Sequence, residues 1–241
     1  SCLIGGMIAN GTPSQQILVS EPGAEARQKL SGLHGVETTA DNQAAAAQAD
    51  LLVLAVKPQI MGAVVKDLAP VLSHKPAVVS IAAGIPLSAL ENWLGTDIAL
   101  VRAMPNTPAM VMSGATGLFA NSLLTEQQKQ IVEQLFQAVG IACWVEREEL
   151  IDAVIAVSGS GPAYFFLVLE AMQKIGQELG LPKNTAEQLS LHTALGASKM
   201  AIDSEATAAQ LRQEASKALG LPWRAVNQER LQLPTLQMSD P

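Results

Sequence analysis

The chain has 241 residues, 49% of them hydrophobic, and a formal net charge of −7. That length supports one large domain or two modest ones with real cores, and the acidic balance argues against a nucleic-acid surface, which needs a basic stripe. No run approaches the roughly 18 uninterrupted apolar residues of a membrane span, and no charged-then-apolar leader opens the chain. Cys2 and Cys143 with His34, His74 and His192 make neither a disulfide framework nor a metal-ligand cluster. The expectation is a cytoplasmic, metal-free enzyme or binding protein with no nucleic-acid or membrane partner.

In chain order, Ser1 to Asn10 reads as a small-residue helix in which Gly5 and Gly6 allow close packing on a sheet. Residues 17–20 form a short strand closed by the Glu21-Pro22-Gly23 turn, residues 24–30 a helix, and residues 35–37 a further short strand. Asp41 caps an alanine-rich helix over 42–48. The continuous apolar run 50–56 fits a strand buried on both faces and is broken by Lys57-Pro58; a helix follows over 60–68. Strand 77–81, the Ala82-Ala83-Gly84 break, helix 86–94 and strand 99–103 continue the alternation as far as Met104-Pro105-Asn106-Thr107-Pro108. Residues 114–120 read as one more strand, 126–139 as a helix capped by Thr125, and 142–145 as a last strand.

Strand and helix alternating at this interval indicate a doubly wound parallel sheet of the Rossmann type. Such sheets bind ligands outside the carboxyl ends of their strands. Here those ends are rich in Pro, Gly and small residues, as a surface that lets a flat dinucleotide lie close would be; ordinary turns have the same composition. The Gly-x-Gly-x-x-Gly fingerprint is absent.

Beyond Glu148-Glu149 the pattern is helical: 150–157, 162–179, 185–203 and 207–218. Ser158, Gly159, Ser160 and Gly161 read as a flexible hydroxyl-bearing loop. Pro162 then opens a nearly all-apolar helix that should be buried around most of its circumference. A helix N-terminus entered through such a loop attracts a carboxylate or phosphate. The domains are therefore read as 1–146, dinucleotide-binding, and 147–241, helical.

Four runs in order carry a family resemblance: Ala55-Val-Lys-Pro58, Val79-Ser-Ile-Ala-Ala-Gly84, Arg102-Ala-Met-Pro-Asn-Thr-Pro108 and Ser158-Gly-Ser-Gly-Pro-Ala-Tyr164. Leu150-Ile-Asp-Ala-Val154 precedes the fourth and Gly196-Ala-Ser-Lys-Met200 follows it. Together they resemble pyrroline-5-carboxylate reductase. The resemblance implies a Rossmann domain that binds NADPH or NADH and a helical domain that forms dimers, often assembled into decamers. It also implies reduction of 1-pyrroline-5-carboxylate to proline, the last step of proline biosynthesis.

The resemblance places Ser20, Glu21, Asn42, Ala55, Val56, Lys57, Pro58, Ala82, Ala83 and Asn106 at the cofactor, and Ser158, Gly159, Ser160, Gly161 and Glu205 at the substrate. An acidic Glu21 at the adenosine ribose would favour NADH. No catalytic residue and no metal ligand is assigned.

Read without the resemblance, Lys57 is equally a solvated surface lysine, Tyr164 a core aromatic and Glu205 a solvated carboxylate. The chain departs from the family pattern in three places. The glycine loop and first strand would lie before Ser1, so the chain reads as a fragment; residues 215–222 lose the pattern; and 231–241 replace the final helix. Two alternatives stand beside the reductase. One is a β-hydroxyacid-type dehydrogenase, which would need a helical lysine such as Lys174 or Lys199. The other is a non-catalytic dimeric remnant.

Overall fold

The structure, a computed structural model, describes residues 1–218. The expectations for residues 219–222 and for 231–241 lie outside the described residues. The chain divides into two compact units, Ser1–Pro162 and one beginning at Ala163.

The first unit is α/β. Its strands are β1 (Leu18–Ser20), β2 (Glu37–Thr39), β3 (Leu51–Leu54), β4 (Ala77–Ser80), β5 (Leu100–Met104), β6 (Gly114–Ala120) and β7 (Gly140–Trp144). They form two ladders, a parallel β1–β2 pair and a five-stranded sheet in the order β3-β4-β5-β6-β7. The sheet is parallel except that β5 and β6 run antiparallel, so it is the parallel-dominated α/β sheet expected, with one reversed neighbour. The cause is the connection: Thr107–Val111 forms only a 3-10 turn. A parallel return needs a crossover of a dozen or more residues.

The helices of this unit are α1 (Cys2–Ala9), α2 (Ala24–His34), α3 (Asn42–Ala46), α4 (Pro58–Leu68), α5 (Leu87–Leu94), α6 (Glu126–Gln137) and α7 (Leu150–Val154). Local chemistry sets their ends. The Asp41 carboxylate accepts from the N–H groups of Gln43 and Ala44 at the start of α3, and Thr125 with Gln128 makes a capping box on α6. Gly35, at φ +65°, stops α2 in the left-handed region where glycine carries no Cβ penalty.

The period-2 alternation of a strand sends neighbours to opposite faces, and β4 shows it. Val78 packs with Met61, Val65 and Leu68 of α4 and Leu87 and Leu90 of α5. Val79 packs on the other face with Val132, Leu135 and Phe136 of α6. Both faces of the sheet are thus covered, and every residue of β4 is buried.

The second unit is helical, with α8 (Gly161–Glu178), α9 (Lys183–Asp203) and α10 (Ala208–Ala218). Three expectations change here. The Ser-Gly-Ser-Gly run is not a loop before a free helix N-terminus, because Ile155–Gly159 forms a π turn that carries α7 on towards α8. The helical stretch Leu150–Glu178, 29 residues of mean hydropathy 1.5, is also long and apolar enough to cross a membrane by length and composition. Asp152, Glu170, Lys174 and Glu178 interrupt its apolar runs, which is why no uninterrupted segment stood out. Nor is α8 buried in a single chain, where Tyr164, Phe165, Phe166, Leu167 and Val168 are all exposed.

Candidate active site

The residues expected at the cofactor sit where the fold ends its strands. Register pairs Leu54 with Ser80 and Ser80 with Arg102, so the segments after β3, β4 and β5 emerge side by side. Ala55 is exposed, Val56 half-buried, and Lys57 stands exposed at the N-cap of α4 with Pro58 at the first helical position. Ala82 is buried and Ala83 exposed, followed by Gly84 at φ +75°. No side chain in these two segments other than Val56 and Lys57 extends beyond Cβ except the Pro58 ring, so backbone is accessible to a flat ligand. The residues fit a dinucleotide on that ground.

At the end of β1, Ser20 Oγ donates to Asn42 Oδ1 at 2.7 Å, which joins two of the expected cofactor residues. The Glu21 carboxylate accepts from the Gly23 N–H at 2.9 Å. Arg27, which sequence reasoning passed over, donates one guanidinium nitrogen to the backbone carbonyls of Glu21 and Pro22, both at 2.8 Å. The turn after β1 therefore carries a cation as well as an acid. An arginine there is the usual means of accommodating a 2′-phosphate.

Asn106 follows β5 and is half-buried. Its Oδ1 accepts the Ala115 N–H at 2.9 Å, and its Nδ2 donates to the Ser158 carbonyl at 3.0 Å. The structure thereby brings one expected cofactor residue to one expected substrate residue. Ser158 Oγ donates to the Val154 carbonyl at 3.0 Å, and the Ser160 N–H reaches the Ile155 carbonyl at 2.8 Å across the π turn. π turns of this kind occur frequently at functional sites. Gly159 lies against Met104, the last residue of β5, since an added Cβ would stand 3.3 Å from its Cε. Glu205 belongs to the second unit, exposed in the turn between α9 and α10.

A partly buried pair supports this end of the sheet. Glu148 Oε1 accepts from Arg102 at 3.0 Å and from the N–H of Leu87, the first residue of α5, at 2.8 Å. One carboxylate oxygen thus joins β5, the helix after the Ala82-Ala83-Gly84 turn, and the segment leading into the serine-glycine turn. An arginine inside an apolar strand was the sequence signal for it, and it was missed. Among the described residues no cluster of three or more His, Cys, Asp or Glu could hold a metal.

Comparison with known proteins gives this geometry its context. Residues 148–230 match the family model for pyrroline-5-carboxylate reductase dimerisation, and residues 1–84 match that for NADP oxidoreductase coenzyme F420-dependent. The chain is 50% identical over 224 residues to pyrroline-5-carboxylate reductase of Pseudomonas aeruginosa, covering 93% of this chain and 82% of the relative. The chain belongs to the pyrroline-5-carboxylate reductase family. Among solved structures it is similar to the reductase of Coxiella burnetii, with TM-score 0.86 and 41% identity over 96% of this chain and 90% of that one. The Plasmodium falciparum pyrroline carboxylate reductase solved with NADP bound has TM-score 0.78 and 25% identity, over 96% and 89% of the two chains. A dinucleotide-binding α/β domain followed by a dimerisation domain is therefore the architecture of this chain.

Proposed function

We propose that the chain reduces 1-pyrroline-5-carboxylate to L-proline with NADPH or NADH, as a cytoplasmic homodimer or a higher assembly such as a decamer. The observation that supports this reading is the Asn106–Ser158 hydrogen bond, which joins the strand-end surface to the serine-glycine turn. In this reading residues 1–146 hold the cofactor and 147–241 the dimer interface and substrate.

When bound, the cofactor supplies the hydride that reduces the ring C=N carbon. The chain supplies position. Ser20, Glu21 and Asn42 face the adenosine ribose, and Ala55, Val56, Lys57, Pro58, Ala82 and Ala83 offer the dinucleotide a close backbone. Ser158, Gly159, Ser160, Gly161 and Glu205 line the imine and its carboxylate, and Asn106 sets the nicotinamide side. No nucleophile is required, so holding donor and acceptor in a near-attack arrangement is the main contribution of the protein. Arg27 at the same turn as Glu21, donating to its backbone carbonyl, leaves room for either cofactor, whereas Glu21 alone favoured NADH.

The test monitors NADPH and NADH oxidation with 1-pyrroline-5-carboxylate, with a β-hydroxyacid and its oxidised cofactor as the control. Cofactor affinity is measured separately by fluorescence. Turnover with the imine alone supports the reading. Turnover with the hydroxyacid alone makes the chain a related dehydrogenase, and absence of cofactor binding makes it a non-catalytic scaffold.

A further inference from the structure

We infer that Asn106 is a positioning residue for the Ser158–Gly161 turn: its amide takes the carbonyl that Pro162 leaves without an α-helical donor, and fixes that carbonyl to the end of β5. The inference rests on the reading of this turn as substrate-facing.

In an α-helix the Ser158 carbonyl would accept from the N–H four residues on. That residue is Pro162, which has none. The carbonyl meets Asn106 Nδ2 instead, at 3.0 Å. The orientation of the amide is fixed by its other end, because Oδ1 accepts the Ala115 N–H at 2.9 Å. A flipped amide would set donor against donor at Ala115 and acceptor against acceptor at Ser158, so one orientation satisfies both. Asn106 is itself held, because its carbonyl accepts from the Ala109 N–H at 3.2 Å as it enters the 3-10 turn.

The local consequence is a choice of helical phase. The π turn Ile155–Gly159 adds a residue relative to an α-turn, which rotates the succeeding helix by about 100° about its axis. The Ser160 N–H to Ile155 bond closes this wider turn from inside. Asn106 holds it from outside, and Gly159 against Met104 leaves it room. With Asn106 gone, the turn loses its hydrogen bond to the segment after β5, relaxes, and its hydroxyls move relative to the strand ends. Cofactor contacts after β3 and β4 lie on other segments and keep their geometry.

Asn106→Ala is expected to lower kcat by roughly 10- to 100-fold, since misplacement by about 1 Å costs on that order, and by a larger factor than NADPH affinity falls. Asn106→Asp keeps the acceptor for Ala115 but turns a second acceptor toward Ser158, so it should lose kcat similarly while remaining folded. The decisive measurement is a double-mutant cycle with Pro162→Ala, which returns an N–H to the helical position. Asn106→Ala should cost less in that background than in the wild type. Additive losses, or a fall in cofactor affinity that matches the fall in kcat, would overturn the proposal in favour of direct cofactor contact. Nuclear magnetic resonance reads the tether without turnover. Slow exchange of the Asn106 side-chain amide, and carbon shifts of residues 155–160 that move toward α-helical values in Asn106→Ala, are expected. Fast exchange with unmoved shifts overturns the inference even if the wild type is fully active. An inactive wild type with a protected amide would instead count against the proposed reaction alone.

Discussion

Strand β4 and helix α8 are both apolar runs, yet β4 is buried at every residue while Phe165 and Phe166 on α8 are 60% and 66% exposed. The α/β unit covers its apolar strands with its own helices, α4 and α5 on one face and α6 on the other. Among the described residues, the helical unit leaves comparable apolar side chains exposed, including Leu189, Leu195 and Ile202 of α9. Burial in the first unit is a property of the monomer. In the second it awaits another surface, consistent with the dimerisation family matched over residues 148–230.

A matched pair of phenylalanines should break this comparison most sharply. Phe136→Ala removes a fully buried ring from between α6 and the sheet, and should cost about 3–5 kcal/mol at any protein concentration. Phe166→Ala should cost little in dilute monomer and more as concentration rises, because binding a second copy stabilises the folded chain by mass action. Urea unfolding over a range of concentrations checks both. A concentration-independent loss for Phe166→Ala would mean that α8 is not an intersubunit surface.

Next in size is the polar join within the first unit. Glu148→Ala leaves Arg102 buried without its carboxylate and should destabilise by about 3 kcal/mol. Glu148→Gln retains an acceptor for the Leu87 N–H and should recover part of that loss. Chemical denaturation compares the two. Equal losses would assign the whole effect to the charge rather than to the bridge between β5 and α5.

These cases also show what the residues disclosed in advance. Strand β6 was legible to the residue, and β3, β4 and β5 to within two, because continuous apolar runs bounded by Pro and Gly have few other uses. The direction of β6 was not legible from its own residues; it depended on the 3-10 connection before it. The residues that the resemblance put at the cofactor lie at or just beyond strand ends, the positions that alternating strands and helices leave open to a ligand. The π turn escaped notice; what the chain did disclose is that a proline four residues after Ser158 leaves that serine's carbonyl without an α-helical donor. The join made by Arg102 and Glu148 escaped because a partner 46 residues away has no local signature. The exposure of α8 escaped for the opposite reason, since an apolar helix reads as buried whichever chain buries it.

A smaller test asks whether the monomeric core of the first unit is optimised throughout. Thr116 is 3% exposed, and its hydroxyl has no hydrogen-bond partner. Burying a hydroxyl without compensation costs about 1–3 kcal/mol, and valine has nearly the same shape. Thr116→Val should therefore raise stability by about 1 kcal/mol and shift the thermal midpoint upward without altering cofactor affinity. A loss of affinity would show that the hydroxyl has a ligand-side task instead.

The smallest effect should come from the surface of the same unit, where Lys75 meets Asp97 at 2.6 Å with both side chains largely exposed. The hydrogen bond from Lys75, and then its charge, hold the Asp97 carboxyl below its ordinary value. A carboxylate depressed in the folded state contributes stability above its unfolded pKa and loses it as pH falls through the lowered folded value. Asp97→Asn should therefore unfold at slightly lower urea than the wild type near neutral pH, with the two converging in acid. Solvent and salt screen such a pair, so the difference should also vanish at roughly 1 M salt, where the Debye length is about 3 Å. Glu148→Ala should keep most of its penalty under the same salt, because Arg102 is buried and Glu148 only partly exposed. If salt erased both differences, the distinction between a buried polar join and a surface one would fail for this fold.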